Sequence, residues 1–165
     1  MTRTTRYVCC AVVLTALLVC QAKPATKLAT KKALTLEVAK QIAAASSEHA
    51  RNNKWNVVIA IVDDGGHLVY FERMDGVQTG SVEVAIRKAK AAAAFKRPTR
   101  LFEQAVAEGR TVLVSLPGGM PFEGGVPISV EGQVIGAVGI SGVTAQQDGM
   151  IAQAGVDALP KILQP

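Results

Sequence analysis

Basic side chains cluster around one threonine near the middle of the chain. Lys96, Arg97 and Arg100 flank the dipeptide Pro98-Thr99, and proline is common in the first turn of a helix. Free backbone amides at a helix N-terminus attract anions, and arginine forms charge-assisted hydrogen bonds with carboxylates and phosphates. The cluster therefore predicts either an anion-binding corner or a basic face in contact with solvent.

The two histidines and two of the methionines are further side chains that could contact a metal or a flat ligand. His67 opens a predicted strand beside a tight turn, where it is either a ligand of a metal or haem iron or a surface residue. His49 lies near the C-terminal end of a predicted helix, where the dipole favours a cation, and we interpret it as structural. Met74 and Met120 are candidate apolar contacts to a flat ligand, although methionine is also a common core residue.

Short catalytic motifs are absent from the sequence: it contains no P-loop, no serine-hydrolase elbow and no HExxH. Asp63 and Asp64 could supply carboxylates to a metal, but the run Asp63-Asp64-Gly65-Gly66 is also typical of a tight turn. Gly136, Gly139 and Gly142 resemble a phosphate-binding pattern, yet they fall within and just after a predicted strand. Glycine permits close packing there, so these motifs do not by themselves establish a catalytic, metal or phosphate site.

Hydrophobic periodicity predicts the elements that would position these residues. Helical spacing predicts four helices, at 35–52, 79–95, 98–108 and 145–163, the last interrupted near Pro160. Apolar runs and alternation predict five strands, at 56–62, 67–74, 112–116, 126–130 and 134–140. Turn residues at 63–66 and 131–133 join two hairpins, so antiparallel pairing follows. We therefore predict an α+β fold of α/β/α layers, with an antiparallel five-stranded sheet flanked by helices on both faces.

The run of alanines at 91–94 gives one flank of the second predicted helix very little side chain. Small side chains allow another backbone to approach closely. This pattern predicts that a neighbouring subunit packs against the run in a homo-oligomer.

Length and composition exclude several classes of protein. The 165 residues suit one domain, and a hydrophobic content of 49% excludes a disordered chain. Aromatic residues make up only 4%, so a protein that stacks nucleic-acid bases is not expected. The three cysteines lie at 9, 10 and 20, a spacing that fits neither a zinc ribbon nor a disulfide-rich scaffold.

Residues 1–22 have the pattern of an export signal. Arg3 and Arg6 precede an apolar run at 8–19, and Cys20-Gln21-Ala22 follows it. The run is shorter than the ~20 residues that span a bilayer, so no stable membrane span is expected, with an N-terminal anchor or a lipoprotein as alternatives. We therefore predict a periplasmic or secreted protein with a basic leader at 23–33 and a single domain at 34–165.

Five segments, taken in order, resemble the GlcG/HbpS-type family, also called the haem-degrading-domain family. They are DGGHLV with FERMDG at 64–76, SVEVAIRKA at 81–89, RPT at 97–99, GGVPI at 124–128 and GQVIGAVGISG at 132–142. The resemblance covers about residues 34–163, nearly the whole predicted domain.

The resemblance implies a profilin-like sheet, assembly into homo-oligomers and, in some members, binding of haem or a related tetrapyrrole. One exported member senses redox stress with a partner sensor kinase. In that haem binder a threonine of the Pro-Thr turn approaches the iron, and Thr99 is the matching residue. Another branch is fused to corrinoid enzymes, so a corrinoid is the less favoured cofactor. The family name leaves open whether haem is degraded.

These observations lead to the hypothesis of an exported, oligomeric haem-binding protein that acts in haem capture, storage or redox sensing. Its candidate residues are Thr99 and His67 on the iron side, Arg97 and Arg100 at the propionates, and Met74 and Met120 in the apolar wall. One alternative is an enzyme or accessory protein of a glycolate or diol pathway that acts on a small organic acid. There Arg97 or Arg100 would hold the carboxylate, and Asp75 or Glu83 would act as base. A further alternative is a scaffold whose glycines shape an oligomer core.

Overall fold

The computed structural model describes residues 26–164, so the predicted export signal at 1–22 lies outside the described residues. The helices are α1 (Leu36–Asn52), α2 (Ser81–Phe95), α3 (Arg100–Ala107), α4 (Ala145–Asp157) and α5 (Leu159–Ile162). The strands are β1 (Val58–Asp63), β2 (Leu68–Arg73), β3 (Gly125–Val130) and β4 (Gln133–Ser141), and a 3₁₀ helix occupies Thr111–Ser115. Within 26–164, no helix combines the length and the apolar character that crossing a membrane requires.

The strands form one antiparallel sheet in the order β2-β1-β4-β3. Both predicted hairpins are confirmed, and the pairing of β1 with β4 joins them side by side. Glu131 and Gly132, which connect β3 to β4, have φ values of 49° and 78°. Positive φ at both central residues is the geometry that matches the twist of a two-residue hairpin. The hairpins leave β2 and β3 as the two edges of the sheet.

Helices cover both faces of this sheet, which confirms the predicted α/β/α layers and the α+β fold class. The side chains of β1 alternate between the layers: Val58, Ala60 and Val62 pack with α2, whereas Ile59 and Ile61 pack with α1 and α4. The side chains of α2 in this contact are Ala85, Ala89, Ala92 and Ala93. Because alanine is short, the α2 backbone lies close to the sheet.

The prediction of a fifth strand at 112–116 is wrong, because this segment lies in the 3₁₀ helix. None of the residues of the 3₁₀ helix is buried, and Val112 and Val114 are 71% and 66% exposed. The preference of β-branched residues for strands reflects packing on a pleated, half-buried surface. No strand of the described sheet pairs with residues 112–116, so these residues lack the pleated surface on which a strand would pack.

The chain's own fold covers three of the four alanines in the run at 91–94, whereas Ala94 is exposed. Ala91, Ala92 and Ala93 are at most 2% exposed within one chain, so they need no second subunit to shield them. The argument that a neighbouring subunit packs on these three residues is therefore wrong, and the homo-oligomer itself stays a prediction.

Candidate functional site

A cavity of about 630 Å³ lies between the start of β3 and one side of α4, next to the first turn of α3. Its volume falls in the range of about 300–1,000 Å³ that is usual for sites of small molecules and cofactors. Its wall consists of His49, Pro98, Arg100, residues 123–126, Gly149, Met150, Gln153, Ala154 and Asp157. Four separate parts of the chain meet here, and the predicted elements α1, α3, β3 and α4 all contribute to the wall.

Thr99 fixes the start of α3 to the edge strand β3. Its backbone N–H donates to the carbonyl of Gly125 at 2.9 Å, and its Oγ1 accepts from the N–H of Gly125 at 2.9 Å. The side chain is completely buried, and Thr99 does not line the cavity. The structure therefore places the predicted iron-side threonine behind the cavity wall, where it holds Pro98 and Arg100 in position.

The two arginines of the predicted anion corner point to different surroundings. Arg100 lines the cavity. Arg97 does not: its Nε donates to the carbonyl of Phe95 at 3.3 Å, and its guanidinium lies 5.9 Å from the ring centroid of Phe102. This contact has the geometry of a cation–π interaction. Of the two predicted propionate partners, Arg100 alone reaches the cavity.

The structure places His67 and Met74 at the other edge of the sheet. They flank β2, whereas Thr99 is hydrogen-bonded to Gly125 of β3, and three strand spacings separate these edges by about 14 Å. His67 and Thr99 therefore cannot contact the same iron within one chain. Met74 is half-buried and packs against the core on the side of the sheet that α1 and α4 cover, and Met120 is 6% exposed and does not line the cavity.

The predicted tight turn before His67 is confirmed. The Asp63 carboxylate accepts hydrogen bonds from the N–H groups of Gly65 at 2.9 Å and His67 at 2.8 Å. These bonds, led by the one from the His67 backbone, hold the pKa of Asp63 below its usual value. The His67 ring is 82% exposed and its Nδ1 lies 3.3 Å from Asp63 Oδ2. Asp63 is thus occupied by the turn rather than by a metal site.

His49, which the sequence analysis interprets as structural, is one of the residues that line the cavity. Its Nε2 is buried without a hydrogen-bond partner among the described residues. Buried polar atoms are nearly always paired, so an unpaired imidazole nitrogen marks a candidate ligand-binding atom. A signal existed in the sequence: Ile42, Ser46 and His49 follow the i, i+4, i+7 spacing of the inner face of α1.

A buried ion pair lies directly behind the cavity wall. Lys88 Nζ of α2 and Asp148 Oδ2 of α4 are 2.7 Å apart, and each side chain is 3% exposed. A Cβ on Gly124, which lines the cavity, would stand 2.8 Å from both Lys88 Nζ and Asp148 Cβ. Burial raises the pKa of Asp148 to about 6, against the lowering effect of Lys88. The pair connects helices that cover opposite faces of the sheet.

Glu123 brings a second carboxylate to the cavity itself. Its side chain lies over Gly149 of α4, where an added Cβ would stand 2.6 Å from Glu123 Cγ and 2.7 Å from Cδ. Its backbone N–H donates to Glu103 Oε2 at 2.6 Å. Burial, followed by the charge of Glu103, raises the pKa of Glu123, while Arg100 and Lys88 act in the opposite direction. With Asp157, which also lines it, the cavity thus combines an imidazole, an arginine, two carboxylates and apolar surface.

Comparisons with known proteins match this chain over nearly all of the described fold. The family model "Haem degrading protein HbpS-like" matches residues 34–157. Protein GlcG of Escherichia coli K12 is 45% identical over 112 residues, which cover 68% of this chain and 84% of that protein.

Two solved structures share the fold at more than 30% sequence identity. The crystal structure of HbpS has a TM-score of 0.74 at 31% identity and covers 84% of this chain and 98% of that one. The crystal structure of a PduOC–haem complex has a TM-score of 0.71 at 33% identity and covers 77% of this chain and 95% of that one. The matched region includes all five segments on which the predicted resemblance rests. The chain therefore belongs to the HbpS-like family.

Proposed function

We propose that this protein binds haem in the cavity between β3 and α4. The observation that carries the proposal is that His49 and Arg100 line one cavity of about 630 Å³, and that the buried His49 Nε2 has no hydrogen-bond partner among residues 26–164. Similarity to PduOC, which has been solved as a haem complex, supports the same ligand. This replaces Thr99 and His67 by His49 as the proposed iron-side residue.

The residues of the cavity fit the chemistry of haem. Histidine is a common ligand of haem iron, and His49 is the residue of this cavity that would hold the iron. The carboxylates of haem suit arginine, and Arg100 stands at the rim. Val126, Met150 and Ala154 offer apolar wall to the ring. When bound, the iron would supply redox and ligand-exchange chemistry, whereas the residues of this chain bind and orient the group.

A haemin titration with paired histidine variants tests this proposal. His49→Ala should weaken haemin binding at least tenfold, or about 1.4 kcal/mol, and should shift the Soret band, because the cavity loses its imidazole. His67→Ala is the matched control: it removes the same side chain from the opposite edge and should leave affinity and spectrum unchanged. Arg100→Ala should weaken binding roughly 10- to 100-fold, since a charge-assisted hydrogen bond contributes about 1.5–3 kcal/mol.

Three results would contradict the proposal. A parent protein that produces no Soret band on mixing with haemin is not a haem binder. A loss of affinity in His67→Ala but not in His49→Ala would move the iron to the β1–β2 turn. A spectral change in Thr99→Ala alone, with His49→Ala unchanged, would return the iron to the Pro-Thr turn that the resemblance implies.

We also propose that the protein is exported and assembles into a homo-oligomer, in which it serves haem capture, storage or redox sensing with a sensor protein as partner. The export pattern at 1–22 supports the first statement. The second is supported by apolar side chains around α3 and the 3₁₀ helix that stay exposed within one chain, namely Leu101, Val112, Val114 and Phe122.

Native mass spectrometry of the protein from its own host measures both properties at once. The subunit mass should correspond to a chain that begins at Lys23 or a neighbouring residue, and the complex should be an integer multiple of it. Val112→Glu should shift the mass toward the monomer, because a buried carboxylate without a partner is costly in an interface. A full-length monomer in the soluble cytoplasm would contradict export and assembly together.

A small organic acid is the second candidate ligand, and one observation favours it. Arg100 and Glu123 line the same cavity. Arg100 could hold the carboxylate of such a ligand, and Glu123 could act as the base. The bases expected from the sequence do not line it: Asp75 follows β2 at the far edge, and Glu83 is exposed on α2. Turnover of a 2-hydroxy acid without a Soret band on adding haemin would favour this alternative.

A further inference from the structure

Glu123 places a carboxylate at the wall of the cavity. Among residues 26–164, its side-chain oxygens accept no hydrogen bond and form no ion pair. The Glu123 side chain occupies the space next to Gly149 of α4, which a side chain at position 149 would fill. The backbone N–H of Glu123 is tied to Glu103 at 2.6 Å, which fixes the loop before β3. The carboxylate is therefore held at the wall that Arg100 also lines.

Charged groups approach Glu123 from each helix packed around it. Glu103 and Arg100 belong to α3, Lys88 to α2 and Asp148 to α4. His49 of α1 and Asp157 of α4 line the same cavity. Burial and Glu103 disfavour the ionised form of Glu123, whereas Arg100 and Lys88 favour it. An anion that binds at Arg100 would place a further negative charge near Glu123 and would favour the protonated form of its carboxyl group.

We propose that Glu123 makes ligand binding conditional on a proton: it balances Arg100 in the empty cavity and becomes protonated when a ligand carboxylate binds at Arg100. The inference rests on the proposed function, because it concerns the same cavity and a carboxylate-bearing tetrapyrrole. It adds a specificity rule to that function. A ligand with a free carboxylate takes up a proton on binding, and a ligand whose carboxylates are esterified does not.

The linkage has a definite sign. As the pH rises, Glu123 ionises in the empty cavity, and binding then has to restore the proton. The affinity for a carboxylate ligand should therefore fall with rising pH, by at most tenfold per pH unit for one proton. A glutamine at position 123 cannot ionise, so this source of pH dependence would disappear.

Iron-free protoporphyrin IX and its dimethyl ester are suitable probes, because without iron the ligation of His49 does not enter. Their affinities for the full chain would be measured by fluorescence between pH 5.5 and 8. We expect the parent to bind the acid at least tenfold more weakly at the upper end and to bind the ester with little pH dependence. Glu123→Gln should bind the acid at pH 8 about tenfold more tightly than the parent.

Asp157→Asn is the matched control, because it also converts a cavity carboxylate into an amide. Asp157 already accepts a hydrogen bond from Gln153 at 2.7 Å, so this variant should keep the pH dependence of the parent. If Glu123→Gln fails to fold, the comparison of acid and ester on the parent protein still decides the question.

The outcomes separate this inference from the function on which it rests. If both probes bind and Glu123→Gln keeps the pH dependence of the parent, or the ester shows the same dependence as the acid, proton linkage through Glu123 is wrong and tetrapyrrole binding stands. If neither probe binds at any pH, the proposed function is overturned, and the role of Glu123 falls with it.

Discussion

Lys88→Met should lower the free energy of unfolding by about 3–5 kcal/mol, the usual cost of removing one partner of a buried ion pair. The reason is the Asp148 carboxylate, which is 3% exposed and would lose its bond to Lys88 Nζ at 2.7 Å. The Val143 N–H, 3.2 Å from Asp148 Oδ1, cannot replace a full positive charge. Equilibrium unfolding in urea at pH 7, followed by circular dichroism, measures the change.

Two further variants show whether burial of the pair causes this cost. Lys88→Met combined with Asp148→Leu removes both charges and should recover most of the lost stability, because apolar residues of similar volume often replace a buried pair without cost. Lys32→Met breaks the exposed pair with Glu131, whose atoms are 2.6 Å apart, and should cost at most about 1 kcal/mol. If Lys88→Met costs no more than Lys32→Met, the pair is not buried in solution.

The Asp148 carboxylate makes the loss of stability in Lys88→Met depend on pH. The pKa of Asp148 is about 6 in the folded protein, above the ~3.9 of an unfolded chain. The folded state therefore binds a proton at Asp148 more tightly than the unfolded state does. The stabilisation that this proton contributes is lost as the pH rises from about 4 to about 6. In Lys88→Met the uncompensated charge should accordingly cost less at pH 4.5 than at pH 7.

The elements that could be predicted from the sequence are those that local patterns specify. Threonine is a common N-cap residue, so the sequence predicts that Thr35 caps α1, and its side chain accepts from the Val38 N–H at 3.3 Å. The apolar run at 56–62 predicts a strand buried on both faces, and residues 58–62 of β1 are all buried, although Asn56 is exposed. The error at 112–116 has the same origin, because β-branched residues there carry a strand preference that only a neighbouring strand could satisfy.

The site was harder to predict because its parts are distant in the sequence. Arg100 was found from its local context, a basic cluster next to a helix start. His49 reaches the cavity only because α1, α4 and β3 come together, and Lys88 and Asp148 are 60 residues apart. His67 and Met74 were grouped with Thr99 because nothing in their local sequence reveals the strand order that puts β2 and β3 on opposite edges.

Gly125→Ala should destabilise the protein by about 3 kcal/mol, at the upper end of the usual cost of overpacking a filled space. A Cβ at this position would overlap the carbonyl oxygen of Lys88 and would stand 2.6 Å from Thr99 Cγ2. The neighbours cannot yield easily, because one is helix backbone and the other is the completely buried side chain that fixes α3. Thermal or urea unfolding of the variant measures the loss.

Gly80→Ala is the matched control for the same chemical change. Gly80 precedes α2 with φ −61° and ψ −25°, and an added Cβ would meet nothing within 4 Å. Because alanine adopts this conformation freely, stability should stay the same or rise by up to about 1 kcal/mol. The two variants thus separate the general cost of replacing glycine from the close approach of α2, β3 and Thr99.

The close approach of α2, β3 and Thr99 also positions Pro98 and Arg100, so Gly125→Ala should weaken haemin binding as well. A Gly125→Ala variant with the stability and the haemin affinity of the parent would contradict the packing described for this corner.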